Sequence, residues 1–194
     1  MPLDSSVPIP EPVQRQPRAT IALHWLSALA ILVAVATALT REVLDAETAR
    51  RTLQALHQQA GLLVLLLLPW RWLVGAAKAK PAAAASEPAV LRWAAAGTHW
   101  LLYALLLSLP FLGWALANAH GHAVTLLGTL PLPSLVATDP DLAESLGDWH
   151  ERLAWGLVTM VAMHAAAALW HHFVRGDQVL RSMLPTRQDR PTRD

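Results

Sequence analysis

The stretch WHERLAWGLVTMVAMHAAAALWHHFV, Trp149 to Val174, decides how the chain folds. It is apolar for long enough to cross a hydrocarbon layer of about 30 Å at about 1.5 Å per residue. A helix is the form that satisfies its own backbone groups in lipid. Two histidines stand fourteen residues apart within it, His150 near one end and His164 further in. Fourteen steps of about 100° return to nearly the same face after about 21 Å of rise. Such a helix presents two imidazoles on one stripe at two depths. Ionisable groups in that position are costly and mark function.

Three stretches of the same kind precede it, at Ala19–Thr40, Thr52–Gly75 and Val90–Ala117. The expected fold is therefore all-α, an integral membrane four-helix bundle, with residues 19–175 as its single domain. Pro69 and Pro110 fall inside two of the stretches, where membrane helices tolerate proline and bend locally. Across 194 residues, 54% are hydrophobic and 15% charged, against about a quarter charged in soluble chains. With a mean hydropathy of +0.34, this composition excludes a nucleic-acid module or a disordered tail and argues against a small aqueous enzyme. The absence of cysteine excludes disulfides, iron–sulfur clusters, thiolate zinc and covalently attached haem. No internal repeat of the transporter kind is visible.

Orientation follows from Lys and Arg. Arg15, Arg18, Arg71, Lys78, Lys80, Arg92, Arg175, Arg181, Arg187, Arg190 and Arg193 fall on one side, and Arg41, Arg50, Arg51 and Arg152 on the other. The positive-inside rule then puts both termini in the cytoplasm. Residues 1–18 read as a mobile tail, 176–194 as a cytoplasmic C-terminal tail, and Lys78–Pro88 as a cytoplasmic linker. His24 and Trp25 inside the first stretch argue for a retained helix over a cleaved leader. Asn118–Asp148 is the longest outer loop, with turn residues Gly121, Pro131, Pro133 and Pro140, and is expected to carry short surface helices. Most of the 9 Trp lie near helix ends and read as interfacial belts.

In an antiparallel bundle, His24 lies near the cytoplasmic start of the first helix and His57 near the outer start of the second. His164 then shares the depth of His24, and His150 that of His57. Two cross-bundle histidine pairs, one above the other, are what two bis-histidine haems require. Neutral imidazole is a strong axial ligand, and two of them close the iron to oxygen and favour electron transfer. Four residues after each candidate stands a small side chain, Ala28, Gly61, Ala154 and Ala168, which leaves flat space for a porphyrin. His99 and His171 are followed at that spacing by Tyr103 and Arg175. Taken singly, a histidine near a helix end is an ordinary interfacial hydrogen-bonder; four matched in depth are not. Zinc wants four ligands at one depth, which two separated pairs do not supply. His99 reads as an interfacial or haem-propionate hydrogen-bonder, and His120 and His122 as solvated loop residues. His171 reads either as a quinone headgroup partner or as an interfacial anchor beside His172.

The segments IALHW (Ile21–Trp25), LHQQAG (Leu56–Gly61), HWLLYALLLSLPFLGW (His99–Trp114), WHE (Trp149–Glu151) and LVTMVAMHAAAALWHHF (Leu157–Phe173) resemble the prokaryotic cytochrome b561 family. The resemblance covers about residues 17–185 and is strongest to stand-alone four-helix members described as superoxide oxidases, or superoxide:ubiquinone oxidoreductases. It implies two b-type haems, one held by His24 with His164 and one by His57 with His150. It also implies an oxidoreductase of the bacterial inner membrane that takes electrons from superoxide in the periplasm and passes them to bound ubiquinone towards the cytoplasm. His171 falls where the family has a histidine near the quinone.

Superoxide is an anion, so a basic mouth would concentrate it. Arg50, two turns before His57, is the first candidate, with Arg51 and Arg41 nearby. The outer side nevertheless carries Glu42, Asp45, Glu47, Asp139, Asp141, Glu144, Asp148 and Glu151 and is acidic overall. A competing reading is the haem-bearing membrane subunit of a dehydrogenase or hydrogenase complex, an electron conduit served by a partner protein. A third is a cofactor-free membrane protein whose histidine pairs are coincidental.

Overall fold

The computed structural model describes residues 15–76 and 88–185. Four helices, α1 (Arg18–Val43), α2 (Glu47–Ala76), α3 (Ala89–Ala119) and α4 (Pro140–Phe173), are each long and apolar enough to cross a membrane. A two-stranded hairpin, β1 (Thr125–Leu126) and β2 (Leu130–Pro131), lies between α3 and α4, and the short α5 (Val179–Ser182) follows α4. The tail residues 1–14, most of the Lys78–Pro88 linker, and Arg187, Arg190 and Arg193 lie outside the described residues.

All four spans are longer than their apolar cores. α2 starts at Glu47 rather than Thr52, and α4 starts nine residues before Trp149. The apolar run measures lipid crossing, whereas the helix continues into the polar layer. Asp139 starts α4: its carboxylate accepts from the backbone N–H of Asp141 and Leu142, both at 3.0 Å, and Pro140 follows in the first turn. α2 and α3 run on through Pro69 and Pro110. Each proline removes one N–H donor, for the carbonyls of Leu65 and Leu106. Hydroxyls within the spans are satisfied locally. Ser27, Thr37, Ser108 and Thr159 each donate to a carbonyl one turn back.

The loop from 120 to 139 corrects the expectation of short surface helices. It holds the β-hairpin, and the short extra helix, α5, sits at the opposite end of the bundle. Leu126–Thr129 turns with Leu127 at φ +53° and Gly128 at φ +70°, which matches the natural strand twist. Gln59 of α2 clamps this turn, donating to the Thr125 carbonyl and accepting from the Leu127 N–H, each at 2.8 Å. The buried Asn118 donates to the His122 carbonyl and accepts from the Leu135 N–H. Two side chains thus fold the loop down onto the bundle.

α1 packs along α2 and α3 along α4, and α2 joins the two pairs through α3. The core between them contains Ala30, Val64, Leu68, Leu105, Leu106, Leu109 and Leu157. α4 makes no extended backbone packing with α1 or α2. Of its most apolar window only 6% is buried within the protein. The helix that carries two of the four candidate ligands is thus the least covered one.

Candidate haem site

At the end of the bundle bearing the α1–α2 turn and the hairpin, hereafter the loop end, the rings of His57 and His150 face each other with centroids 6.0 Å apart. At the end bearing the start of α1 and the close of α4, the terminal end, the rings of His24 and His164 are 6.2 Å apart. Two imidazole nitrogens each about 2 Å from one metal put their ring centres about 6 Å apart. Both pairs have the spacing of coaxial ligands.

The surroundings fit haem. The Nδ1–H of His57 donates to the Ala34 carbonyl at 2.9 Å, so its Nε2 carries the free lone pair. The buried Nδ1 of His150 makes no close hydrogen bond, its contact with the Leu109 backbone being weaker than ordinary hydrogen-bond geometry. A Cβ on Gly113 would meet its Cε1 at 3.1 Å, so glycine there makes room for the ring. A Cβ on Gly61, one turn beyond His57, would meet nothing within 4 Å, which is space for a flat macrocycle. His150 and His164 reach across from α4 to α2 and α1, the two helices α4 does not pack against.

A third ring complicates the terminal end. His99 lies 5.6 Å from His164, nearer than His24 does. It belongs to α3, which packs directly along α4, whereas His24 stands on α1, across the bundle from α4. Its Nδ1–H donates to Ala95 one turn back, and its side chain lines a cavity of about 160 Å³ with Trp72, Ala96, Trp100 and Tyr103. His120 and His122 are exposed in the loop.

The three candidate arginines separate. Arg41 donates to Gln54, pairs with Glu42 at 3.1 Å and lies within electrostatic reach of His57. Arg51 forms an exposed pair with Glu47 at 2.8 Å, and Arg50 is exposed in the first turn of α2. Of the three, Arg41 is the one whose charge reaches His57.

Sequence reasoning missed Asp177. Its carboxylate accepts from the Nδ1–H of His171 and from the Val179 N–H, while its own N–H donates to the His171 carbonyl. Partial burial raises its pKa; the His171 and Val179 hydrogen bonds and the charges of His171 and Arg175 outweigh this and hold it below the ordinary value. Gly176 at φ +65° makes the turn that brings Asp177 back under α4. Residues 176–183 then lie over the start of α1, through Trp25 Nε1 to the Met183 carbonyl at 2.7 Å and Gln16 N–H to the Ser182 carbonyl at 3.1 Å. The glycine after a helix end was the available signal. Gly113, Gln59 and Arg71 were equally unremarked; only Arg71 carried a signal, being fourteen residues beyond His57.

The model of the prokaryotic cytochrome b561 family matches residues 15–186, which takes in every element just described. The chain belongs to that family. Cytochrome b561 homolog 2 of Escherichia coli (strain K12) is 30% identical over 164 residues, covering 84% of this chain and 87% of that protein. Cytochrome b561 homolog 1 of the same organism is 29% identical over 177 residues, covering 91% of this chain and all of that protein. A Yersinia pestis protein named probable superoxide oxidase CybB is 28% identical over 169 residues, covering 87% of this chain and 94% of its own. As a cytochrome b561 the chain is a multi-pass membrane electron-transfer protein that binds b-type haem within a helical bundle.

Proposed function

We propose that this cytochrome b561 is a di-haem oxidoreductase that takes electrons from superoxide on the periplasmic side and delivers them to ubiquinone towards the cytoplasmic side. The observation that carries the reading is the pair of imidazole couples, 6.0 and 6.2 Å apart, at two levels of one bundle. The likeness to a protein named as a probable superoxide oxidase supports the choice of donor. In this reading His57 and His150 hold the outer haem, His24 and His164 the inner one, and both termini are cytoplasmic. Residues 19–175 form the membrane domain between cytoplasmic tails at 1–18 and 176–194. The protein resides in the bacterial inner membrane.

Haem supplies one-electron chemistry across a core that ions do not cross. The chain supplies what surrounds it. Ala34 holds His57 in the tautomer that offers Nε2, and Gly113 leaves the His150 ring its place. Arg41 is the cation of the outer mouth whose charge reaches His57, with Arg50 and Arg51 as further attractors at an acidic rim. At the other end the Nδ1–H of His171 is engaged by Asp177, which leaves Nε2 to meet a quinone oxygen. Asp177 then links that imidazole to cytoplasmic protons. The balance is two superoxide, two protons and one quinone giving two dioxygen and one quinol.

The test is stopped-flow mixing of purified protein with superoxide and a water-soluble ubiquinone, without any partner protein. Rapid haem reduction followed by quinol formation, both abolished by superoxide dismutase, is the expected result. Slow reduction indifferent to dismutase would instead favour a conduit served by a docked protein donor.

A further inference from the structure

Arg71 of α2 is the one charged residue within the apolar stretch Thr52–Gly75. It lies fourteen residues beyond His57, the spacing that separates His150 from His164 on α4. It therefore stands on the same stripe of α2 as His57, about 21 Å further along, at the level of His24 and His164. Its charge is within reach of both those histidines. The guanidinium rests on the Tyr103 ring at 5.7 Å and makes one long contact, 3.4 Å, to the Leu23 carbonyl. Its Nε is buried without a hydrogen-bond partner. Among the described residues no carboxylate pairs with it.

A guanidinium in such surroundings needs an anion, because an unpaired charge at low dielectric is strongly disfavoured. Its fork of N–H groups matches a carboxylate or a phosphate with two parallel bonds. Haem carries two propionate carboxylates, and the pair His24 and His164 would hold one at this level. We propose that Arg71 is the anion clamp of the inner haem, binding a propionate and raising that haem's affinity for an electron. This rests on reading His24 and His164 as a haem pair. The role suits the direction of flow, since a fixed cation stabilises the reduced iron at the level nearer the acceptor. A lipid phosphate offers the same chemistry from another source.

The experiment is a spectroscopic redox titration of the full-length holoprotein as wild type, Arg71→Gln and Arg71→Lys. Each is measured in a maltoside detergent stripped of phospholipid and again in phosphatidylcholine vesicles. The inner haem is the component that His24→Ala removes; if that variant keeps both haems, the ligand reading fails independently of this one. The expected result for Arg71→Gln is an inner haem at least tenfold harder to reduce, 59 mV for one electron, with the outer haem unmoved. Arg71→Lys should stay within threefold of wild type. Selective loss of the inner haem in the Gln variant, with retention in the Lys variant, supports the clamp equally. Potentials unchanged at full occupancy overturn it, and so does loss of the inner haem in both variants, which marks a packing role. A shift seen only in vesicles assigns the cation to lipid phosphate and also overturns it.

Discussion

The two histidine levels are built differently. At the loop end the imidazoles are fixed from outside, with His57 tied to Ala34, His150 seated against Gly113, the hairpin clamped by Gln59, and the loop on either side of it held by Asn118. At the terminal end three rings crowd together with Arg71 close by, and they are flanked by a short C-terminal segment held by the side chains of Trp25 and Asp177 and by the Gln16 backbone. The difference suits the two tasks that the proposed function assigns to these ends. Collecting an electron from a small anion asks for a rigid, covered site with a narrow mouth. Handing electrons to a quinone asks for an entrance from the bilayer and a route for protons.

The largest expected effect breaks the two levels apart. His57→Ala should remove the outer haem and leave most of the inner one, His24→Ala should do the reverse, and His99→Ala should keep both. Haem per chain and the reduced-minus-oxidised spectrum read the result. Two haems remaining in His57→Ala would dissolve the pairing. Stability should follow occupancy, since a cofactor bound only by the folded bundle stabilises it by mass action.

Next in size is the terminal end, where the proposal places the acceptor. His171→Leu keeps bulk and removes the polar partner, so superoxide-driven haem reduction should persist while quinol formation slows by at least tenfold. Unchanged quinol formation at full haem loading would move the quinone elsewhere.

The loop end should answer to packing. Gly113→Ala puts a methyl group 3.1 Å from His150 Cε1, and overpacking of this kind costs about 1–3 kcal/mol. Its mark should be a perturbed outer-haem spectrum beside an unperturbed inner one. Gln59→Ala strands two backbone groups of a turn whose Leu127 is already left-handed. The loss should be about 1–3 kcal/mol, read as a lower melting temperature and faster loss of the outer haem.

How much of this was legible follows from what each feature is made of. The four spans and the paired depths of His24, His57, His150 and His164 rest on long apolar runs and on helical periodicity, which sequence records directly. The hairpin at 125–131 was not legible because its residues (TLLGTLP) are apolar without alternation, and its turn is stabilised by Gln59, 66 residues away from Thr125. The nine extra residues of α4 escaped because Asp141, Glu144 and Asp148 interrupt the apolar run, although Asp139–Pro140 is a helix-start signal in plain view. The ranking of Arg50 above Arg41 came from counting turns along α2 alone. The tertiary fold also brings the charge of Arg41 of α1 within reach of His57, through contact with Gln54 of α2.

The smallest effects are electrostatic. Replacing Arg50 and Arg51 with Gln should lower the rate of haem reduction by superoxide a few-fold and flatten its salt dependence, with haem content unchanged. Arg41→Gln should cost more than both together. At the other end, Asp177 has a folded pKa held below its ordinary 3.8. Its contribution to docking the C-terminal segment is therefore present above that value and lost as pH falls through the lower folded one. Asp177 keeps 31% of its side chain exposed, so water screens the pair, the stability change should be about 1 kcal/mol at most, and it is confined to pH below about 4. Proteolytic sensitivity of the segment against pH reads it, and Asp177→Asn should abolish the dependence.

The central claim is that one chain holds two b haems, each between two histidines. Electron paramagnetic resonance of the oxidised purified protein, integrated against chain concentration, tests it most directly. The account predicts two low-spin ferric haems per chain in equal amounts, reduced to one in either His57→Ala or His24→Ala. A single haem in the wild-type protein, or a substantial high-spin share showing an iron with an open position, would contradict it.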